Sequence, residues 1–242
     1  MQAAEDAIFQ LKNIASIALR SPVEDLDIEN ERVFIKHNPK YGIGFQDLVF
    51  GLKYPGENIV GGQIIGRGSF VMNHLSLLDP KTGKGKAGPA WTVGAQAVEV
   101  ELDTKEYTYR LIKAATVMDV GKLINPHAAQ CIIRGGMSMG LSLASREHFV
   151  YDEQCINQTK SLRTYKLLHI GQEPEYLVDF VETAQEDAPF GARAFSEHGI
   201  IGMPAALANA LSLAAQIDLN ELPITPESIW RCINRNDHGG MR

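Results

Sequence analysis

The apolar and polar residues change their spacing along the chain, and each spacing predicts a different element. Residues 3–19 carry apolar side chains at helical intervals and stop at the Ser-Pro pair at 21–22, which predicts an amphipathic helix. Residues 32–37 alternate as a short strand, and residues 44–52 fit either a short helix or a turn with a strand. Residues 97–121 alternate apolar with acidic positions before the turn sequence DTKE and continue as a second strand, which predicts a β-hairpin.

The second half of the chain predicts three helices and one strand. Residues 133–148 have a helical pattern in which Gly136, Gly140 and Ala144 are four apart, so this side of the helix can approach another backbone closely. The other elements are a strand at 174–182, a helix at 204–216 with Pro204 in its first turn, and a helix at 224–233 that begins at Pro226 and is capped by Thr225. Helices and strands interleave without a strict βαβ repeat, which predicts an α+β (mixed α/β) fold.

The middle of the chain, residues 51–89, is rich in glycine, lysine and proline, and its last ten residues are typical of an exposed loop. Its GGQIIGRGS stretch at 61–69 resembles a phosphate-binding loop. However, Arg67 and Gly68 stand where that loop needs a lysine and then a serine or threonine. The sequence therefore argues against a nucleoside triphosphate site.

Composition and charge narrow the classes of partner. The chain has 242 residues, of which 45% are hydrophobic and 21% charged, the balance of a soluble globular protein. Its net charge of −6 argues against binding to nucleic acid or to an anionic membrane, because those surfaces require clustered Lys and Arg. No apolar run approaches the roughly 20 residues of a membrane span, and no secretory signal is present, so we expect a cytoplasmic protein. Small molecules and other proteins remain as partners.

The cysteines and histidines do not form a recognisable metal site. Cys131, Cys155 and Cys232 are odd in number and widely separated, which argues against a disulfide framework and a cysteine-held cluster. The seven histidines have no i, i+4 pair and no H-E-x-x-H motif, so we expect surface or packing roles for them and no metal ligated by the protein.

One candidate nucleophile is Ser138. It lies in the GMSMG stretch at 136–140, which matches the G-x-S-x-G elbow of serine hydrolases, and Asp179 and His198 follow in hydrolase order. The helical pattern runs through Ser138 without a break, which favours a packing role for this serine instead.

A second candidate is Glu197, within GARAFSEHGIIGMP at 191–204. Ser196 and His198 flank it, but consecutive side chains diverge from one another, so these three residues cannot form a triad. The nearby residues are apolar, and burial among them would raise the pKa of the Glu197 carboxyl group and suit it to act as a general base near neutral pH. A role as a helix cap or ion-pair partner remains open from these residues alone.

Four stretches occur in the order and spacing of a known family. They resemble the molybdenum-binding large subunit of the xanthine dehydrogenase and aldehyde oxidase family, and look most like bacterial purine-degrading xanthine dehydrogenase subunits. The stretches are VEVELDTKEY to VMDVGKLINP at 98–126, RGGMSMGLS at 134–142, RTYKL at 163–167, and GARAFSEHG with PAALANAL and ITPESI at 191–229. The resemblance covers residues 1–233.

This resemblance implies the C-terminal part of the molybdopterin-binding domain pair of molybdenum hydroxylases. It implies that Glu197 is the catalytic base in the hydroxylation of a purine, a related heterocycle or an aldehyde, with molybdenum-molybdopterin as the cofactor of the intact enzyme. The implied partners are the missing N-terminal part of the large subunit, iron–sulfur and FAD subunits and a purine-like small molecule, within an oligomer. It assigns no cofactor-binding residue in this chain.

The chain departs from the family at one pair of positions and in length. Cys131 and Ile132 stand where the family has a Gly-Gln pair whose glutamine contacts the cofactor. Because the family's subunit is much longer, we expect residues 1–242 to be a C-terminal fragment, with a sub-division near residues 90–130, that cannot hold the cofactor alone. The alternatives are a non-catalytic structural module used in assembly and a serine hydrolase that uses Ser138.

Overall fold

The computed structural model describes residues 1–53, 58–71, 75–88 and 90–239. The chain divides into two units, Met1–Pro89 and Ala90–Arg242, and each has its own cluster of buried apolar side chains. Both units contain helices and strands without a βαβ repeat, so the predicted α+β class is confirmed.

The first unit pairs one long helix with a small antiparallel sheet. Helix α1 (Gln2–Leu19) buries Leu11, Ile14 and Ala15, which confirms the predicted amphipathic helix. The sheet has the order β1 (Leu26–Glu29), β2 (Arg32–Ile35), β3 (Asn38–Gly44). The remaining elements are a 3-10 turn at Val23–Asp25, the short helix α2 (Phe45–Leu48), and the paired strands β4 (Leu52–Lys53) and β5 (Ile59–Val60).

The second unit is built on a three-stranded sheet with the order β6-β7-β8. Strands β6 (Gly94–Leu102) and β7 (Tyr109–Asp119) form the predicted hairpin, and β8 (Glu175–Val181) pairs with β7 in parallel. Asp103 Oδ1 fixes the hairpin turn by accepting the N–H groups of Lys105 (2.8 Å) and Glu106 (3.1 Å). The helices are α3 (Pro126–Ser145), α4 (Leu162–Tyr165), α5 (His198–Ile201), α6 (Met203–Ala215) and α7 (Pro226–Gly239), with a 3-10 turn at Pro189–Gly191.

The core of the second unit lies between this sheet and helices α3, α6 and α7. Apolar side chains from each of these elements are buried, and full burial of each large one contributes roughly 1.5–3 kcal/mol. The buried residues include Ala114 and Met118 of β7, Ile133, Met137 and Leu141 of α3, Leu207 and Leu211 of α6, and Ile229 of α7.

Small residues let α3 approach α5 and α6 closely, as their spacing predicts. A Cβ added at Gly136 would lie 2.9 Å from Gly199 Cα, and one added at Gly140 would lie 2.8 Å from Met203 Cβ. Neither position can therefore carry a side chain without a shift of the facing backbone or of Met203.

Some predicted boundaries are wrong. Helix α3 begins at Pro126, several residues before the predicted start, because Asn125 Oδ1 caps it by accepting the N–H of Ala128 (3.0 Å). Strand β3 and the short helix α4 were not predicted. The predicted loop at 80–89 is exposed and irregular as far as residue 88, and residue 89 lies outside the described part of the chain.

One helical stretch in the described ranges, His198–Ala215, has the length and composition of a membrane span, with 18 residues and a mean hydropathy of 1.3. The expectation that no apolar run approaches this length is wrong for this stretch. Gly202 separates this stretch into α5 and α6. The buried residues of α6, which are Met203, Leu207 and Leu211, belong to the core. These three side chains therefore pack in the core of the second unit, although only 22% of the stretch is buried.

Candidate functional site

Glu197 lies at the junction between an irregular segment and helix α5. Its backbone carbonyl accepts the N–H of Ile200 (3.0 Å), so the residue is the N-cap of α5, while its side chain is exposed. The expectation that apolar neighbours bury this carboxyl group is wrong for the described chain. Phe195 turns away to pack on Phe180, with ring centroids 6.2 Å apart, and Ile201 is 74% exposed.

His198, next in sequence, uses one ring nitrogen in a hydrogen bond, and the described residues offer no partner to the other. Its Nδ1 accepts the backbone N–H of Ser196 (3.0 Å), so Nδ1 carries no proton and the neutral ring carries its proton on Nε2. The ring lines a cavity of about 280 Å³ between β6 and the start of α6. His198 therefore offers a hydrogen-bond donor to this cavity, and its expected surface or packing role stays a prediction.

The cavity is lined by neutral groups. Besides His198, its polar side chains are Thr92, Gln96 and Asn209, and the backbone of Gly94 and Gly202 contributes to its wall. No charged side chain from the described ranges lines it. A site of this chemistry can bind an uncharged ring that carries both hydrogen-bond donors and acceptors.

Gln96 fastens the start of α6 to the sheet. Its Nε2 donates to Thr116 Oγ1 and to the carbonyl of Gly199 (both 2.9 Å), and its Oε1 accepts the N–H of Gly202 (2.5 Å). A Cβ at Gly202 would collide with Gln96 Oε1, so glycine is required for this contact. The sequence contained a signal for this role, because Gln96 occupies the inward face of β6 among apolar residues.

A partly buried ion pair fastens the segment before Glu197. Arg193 Nη1 lies 3.1 Å from Asp119 Oδ2, and the two side chains are 14% and 16% exposed. Arg193 also donates to the carbonyls of Trp91 (3.2 Å) and Thr183 (3.1 Å). This pair was not predicted from the sequence, since Arg193 and Asp119 are far apart along the chain.

Asp119 is held in its charged form by its surroundings. Burial acts to raise its pKa, but the N–H groups of Gly121 (3.1 Å) and Thr183 (3.2 Å), together with Arg193, outweigh burial and leave the pKa below its usual value. Its charge is therefore available to Arg193 throughout the neutral range.

Ser138 does not have the surroundings of a hydrolase nucleophile. It lies within the continuous helix α3, whereas a nucleophile elbow requires a sharp turn between a strand and a helix. Its hydroxyl donates to Glu173 Oε1 (2.6 Å), and no hydrogen bond among the described residues joins it to His198 or Asp179. The geometry favours the packing role.

Cys131 and Ile132 lie on the exposed side of α3. Cys131 Sγ is 3.9 Å from His127 Nε2, and Ile132 is 46% exposed. The described residues contain no group of three or more His, Cys, Asp or Glu side chains that could hold a metal ion. Ile132 cannot donate the hydrogen bond that the resemblance assigns to a glutamine at its position.

These residues fit part of the cofactor that the resemblance implies. The neutral donors and acceptors of the cavity suit a pterin ring, which presents amide-like hydrogen-bonding edges. The cavity lining contributes no Lys or Arg for a phosphate group. The pterin ring therefore matches this chemistry, whereas the phosphate would need other residues.

Comparison with known proteins gives a consistent family. Residues 1–174 match the molybdopterin cofactor-binding domain, a range that ends before Glu197. A probable hypoxanthine oxidase of Escherichia coli strain K12 is 28% identical over 219 residues, which are 90% of this chain and 21% of that protein. The 6-hydroxypseudooxynicotine dehydrogenase complex subunit gamma of Paenarthrobacter nicotinovorans is 33% identical over 147 residues, 59% of this chain and 18% of that one. The chain thus spans about a fifth of the length of these curated relatives.

Two solved structures share the fold. Quinoline 2-oxidoreductase from Pseudomonas putida 86 superposes with a TM-score of 0.64 at 24% identity, covering 93% of this chain and 28% of that one. The aldehyde oxidoreductase from Desulfovibrio gigas gives a TM-score of 0.61 at 27% identity, covering 66% and 17%. Because the family match covers more than half of its residues, the chain belongs to the molybdopterin cofactor-binding domain family, as its resemblance to molybdenum hydroxylase subunits predicts.

Proposed function

We propose that the chain is part of a molybdenum hydroxylase in which Glu197 is the general base. The observation that carries this proposal is the state of the Glu197 carboxylate. Its side chain is exposed, has no hydrogen bond or ion pair among the described residues, and belongs to a loop fixed at two points of the fold, directly before the cavity-lining residue His198. A role as a helix cap or an ion-pair partner would require such a contact, and Glu197 makes no side-chain capping hydrogen bond to α5.

The chain's own residues would move and direct a proton. When bound, the molybdenum-molybdopterin cofactor supplies the redox chemistry. Glu197 would take the proton from the hydroxyl group that attacks an electron-poor carbon of the substrate, and would release it afterwards. The exposed position of Glu197 leaves it free to face a substrate held against this chain by the rest of the enzyme.

The cavity would orient an uncharged ring against His198, the residue that follows this base in sequence. His198 Nε2–H is a donor, and Thr92 and Asn209 can both donate and accept, so together they can bind the edge of a pterin. Residues outside the cavity lining would hold the phosphate.

The substrate is proposed to be a purine, a related heterocycle or an aldehyde. The names of the similar proteins include an oxidase of hypoxanthine and oxidoreductases of quinoline and aldehydes, which are all compounds with an electron-poor carbon. The proposed partners are the missing N-terminal part of the large subunit together with iron–sulfur and FAD subunits, in a cytoplasmic oligomer. One similar protein is named as a subunit of a dehydrogenase complex.

The proposal is tested by Glu197→Gln in the complete enzyme, because this change keeps the shape of the side chain and removes the base. We expect turnover to fall by about 10²–10⁴-fold while the molybdenum content stays unchanged. Glu186→Gln, which alters another exposed acid before the same loop, is the matched control and should keep normal turnover. Normal turnover in Glu197→Gln would contradict the proposal.

A second candidate is a non-catalytic module used in assembly. Ile132 supports it, because an exposed isoleucine replaces a cofactor-contacting glutamine. This candidate predicts that Glu197→Gln leaves turnover unchanged, so the same variant separates the two functions.

A further inference from the structure

We propose that Gln96 and Arg193 are positioning residues that hold the Glu197 loop from its two sides. This inference rests on the proposed function, because it assigns these residues to the placement of the proposed base. Neither residue would touch the reacting atoms. Their role would be to fix the position of the Glu197 carboxyl group.

The first anchor lies four residues before Glu197. Arg193 joins three separate parts of the second unit, through the Asp119 carboxylate at the end of β7 and the carbonyls of Trp91 and Thr183. Its own N–H donates to the carbonyl of Val120 (3.0 Å). The backbone at 193 is thereby tied to the end of the hairpin through both main chain and side chain.

The second anchor lies two to five residues after Glu197. Gln96 accepts the N–H of Gly202 and donates to the carbonyl of Gly199, and its second amide proton bonds Thr116 of β7. Gly199 is also pressed against α3, since a Cβ at Gly136 would lie 2.9 Å from Gly199 Cα. Both anchors are therefore attached to the β6–β7 hairpin.

Between the anchors, residues 194–198 form a short span with few contacts of its own. The hydrogen bond from Ser196 N–H to His198 Nδ1 shapes this span, and Phe195 packs on Phe180. Because such a span is short, displacement of either end moves Glu197. A displacement of about 1 Å at a catalytic group can lower a rate by about 10²-fold.

The matched control is a second Arg–carboxylate pair on the same hairpin. Arg110 Nη2 lies 3.1 Å from Glu101 Oε2, the same separation as in the Arg193–Asp119 pair, but these side chains are 75% and 67% exposed. The Arg110 pair lies at the turn end of the hairpin, away from Glu197. Arg110→Gln removes an arginine ion pair without touching the loop.

The first experiment measures amide hydrogen exchange of this chain for Arg193→Gln, Gln96→Leu and Arg110→Gln. We expect exchange at the hydrogen-bonded amides of Arg193 and Ser196 to rise by about tenfold or more in the first two variants, with α3 still protected, and to stay unchanged in Arg110→Gln. Unchanged exchange at both amides in both of the first two variants would overturn the inference. Arg193→Lys keeps the positive charge but loses the forked geometry of the guanidinium group, so it should raise the exchange rate less than Arg193→Gln does.

The second experiment measures the steady-state kinetics of the complete enzyme with the same variants. We expect kcat to fall by about 10–10²-fold in Arg193→Gln and Gln96→Leu, with KM changed less than about threefold, because the base is displaced while substrate binding is kept. A normal kcat in both variants would overturn the inference if Glu197→Gln is inactive. If Glu197→Gln is itself active, the proposed function fails, and the hydrogen-exchange result alone decides whether the anchors hold the loop.

Discussion

At the scale of single residues, the site combines one carboxylate that has no partner among the described residues with neighbours that each make several hydrogen bonds. Gln96 uses both amide protons and its oxygen, and Arg193 bonds a carboxylate and two carbonyls. Glu197 is exposed and has no such partners in the described part of the chain. This contrast separates the residues that hold the site from the residue proposed to react.

Tyr109 gives a residue-scale prediction about alkaline stability. Its hydroxyl donates to the carbonyl of Ile224 (2.7 Å), and burial raises the pKa of Tyr109 to about 12. The unfolded chain loses this proton near pH 10, whereas the folded chain keeps it until about pH 12. The contribution of protonated Tyr109 to the free energy of unfolding is therefore complete below pH 10 and is lost as the pH rises toward 12.

The measurement is the free energy of unfolding from denaturant curves between pH 8 and pH 11.5 for the native chain and Tyr109→Phe. We expect the native chain to lose on the order of 1–2 kcal/mol more than the variant over this range, since phenylalanine has no proton to lose. Equal losses of unfolding free energy in the two proteins would show that folding does not raise the pKa of Tyr109.

The sequence made Glu197 a candidate base through the family resemblance, but it predicted the surroundings of this residue wrongly. Apolar neighbours in sequence predicted burial, whereas Phe195 turns to the core and Ile201 faces outward, so Glu197 remains exposed. Neighbours along a loop do not share a direction as residues of one helix face do, and the prediction therefore failed here. Its proposed role as the base stays a prediction.

At the scale of elements, the close contact between α3 and α5 fixes the position at which the Glu197 segment ends. Gly136 faces Gly199 at a distance that leaves no room for a Cβ, while Gly135, the preceding residue of the same helix, faces open space. The two adjacent glycines differ in surroundings but have the same helical backbone.

Alanine substitutions at these two positions should have opposite effects on stability. We expect Gly136→Ala to lower the free energy of unfolding by about 1–3 kcal/mol, because the new methyl group meets backbone atoms that must shift. Gly135→Ala should raise it by up to about 1 kcal/mol, because alanine favours the helix. Thermal or urea unfolding of both variants measures this difference, and equal effects at the two positions would contradict the close contact.

Elements were predicted well where the apolar spacing was regular. The hairpin and helices α1, α3 and α6 follow their patterns, because one buried face fixes the period of each. The start of α3 was missed because Asn125 and Pro126 set it by capping, which apolar spacing does not report. The anchoring contacts of Gln96 and Arg193 join residues distant in sequence and could not be located from spacing.

At the scale of the whole molecule, we propose that the chain carries a part of a cofactor site. Its cavity of about 280 Å³ is lined by neutral groups, and Ile132 lacks the amide that the family resemblance places there. These features suit the pterin ring and provide no cation in the lining for a phosphate. The complete site would need residues from another part of the enzyme.

We therefore expect this chain, purified alone from a host that makes the cofactor, to retain molybdenum and pterin at less than roughly a tenth of stoichiometric amounts, because tight binding requires most of a ligand's surface to be buried. Elemental analysis and pterin fluorescence measure the two contents, with the complete enzyme as the positive control. Near-stoichiometric content in the isolated chain would contradict this expectation.

The central claim, that Glu197 is the base, is tested most directly by the rate at which substrate reduces the complete enzyme in a single turnover without oxygen. This rate reports the chemical step apart from product release and later electron transfer. For Glu197→Gln with full molybdenum content, we predict a rate about 10²-fold or more below that of the native enzyme and of Glu186→Gln. A native rate in Glu197→Gln would show that another group takes the proton.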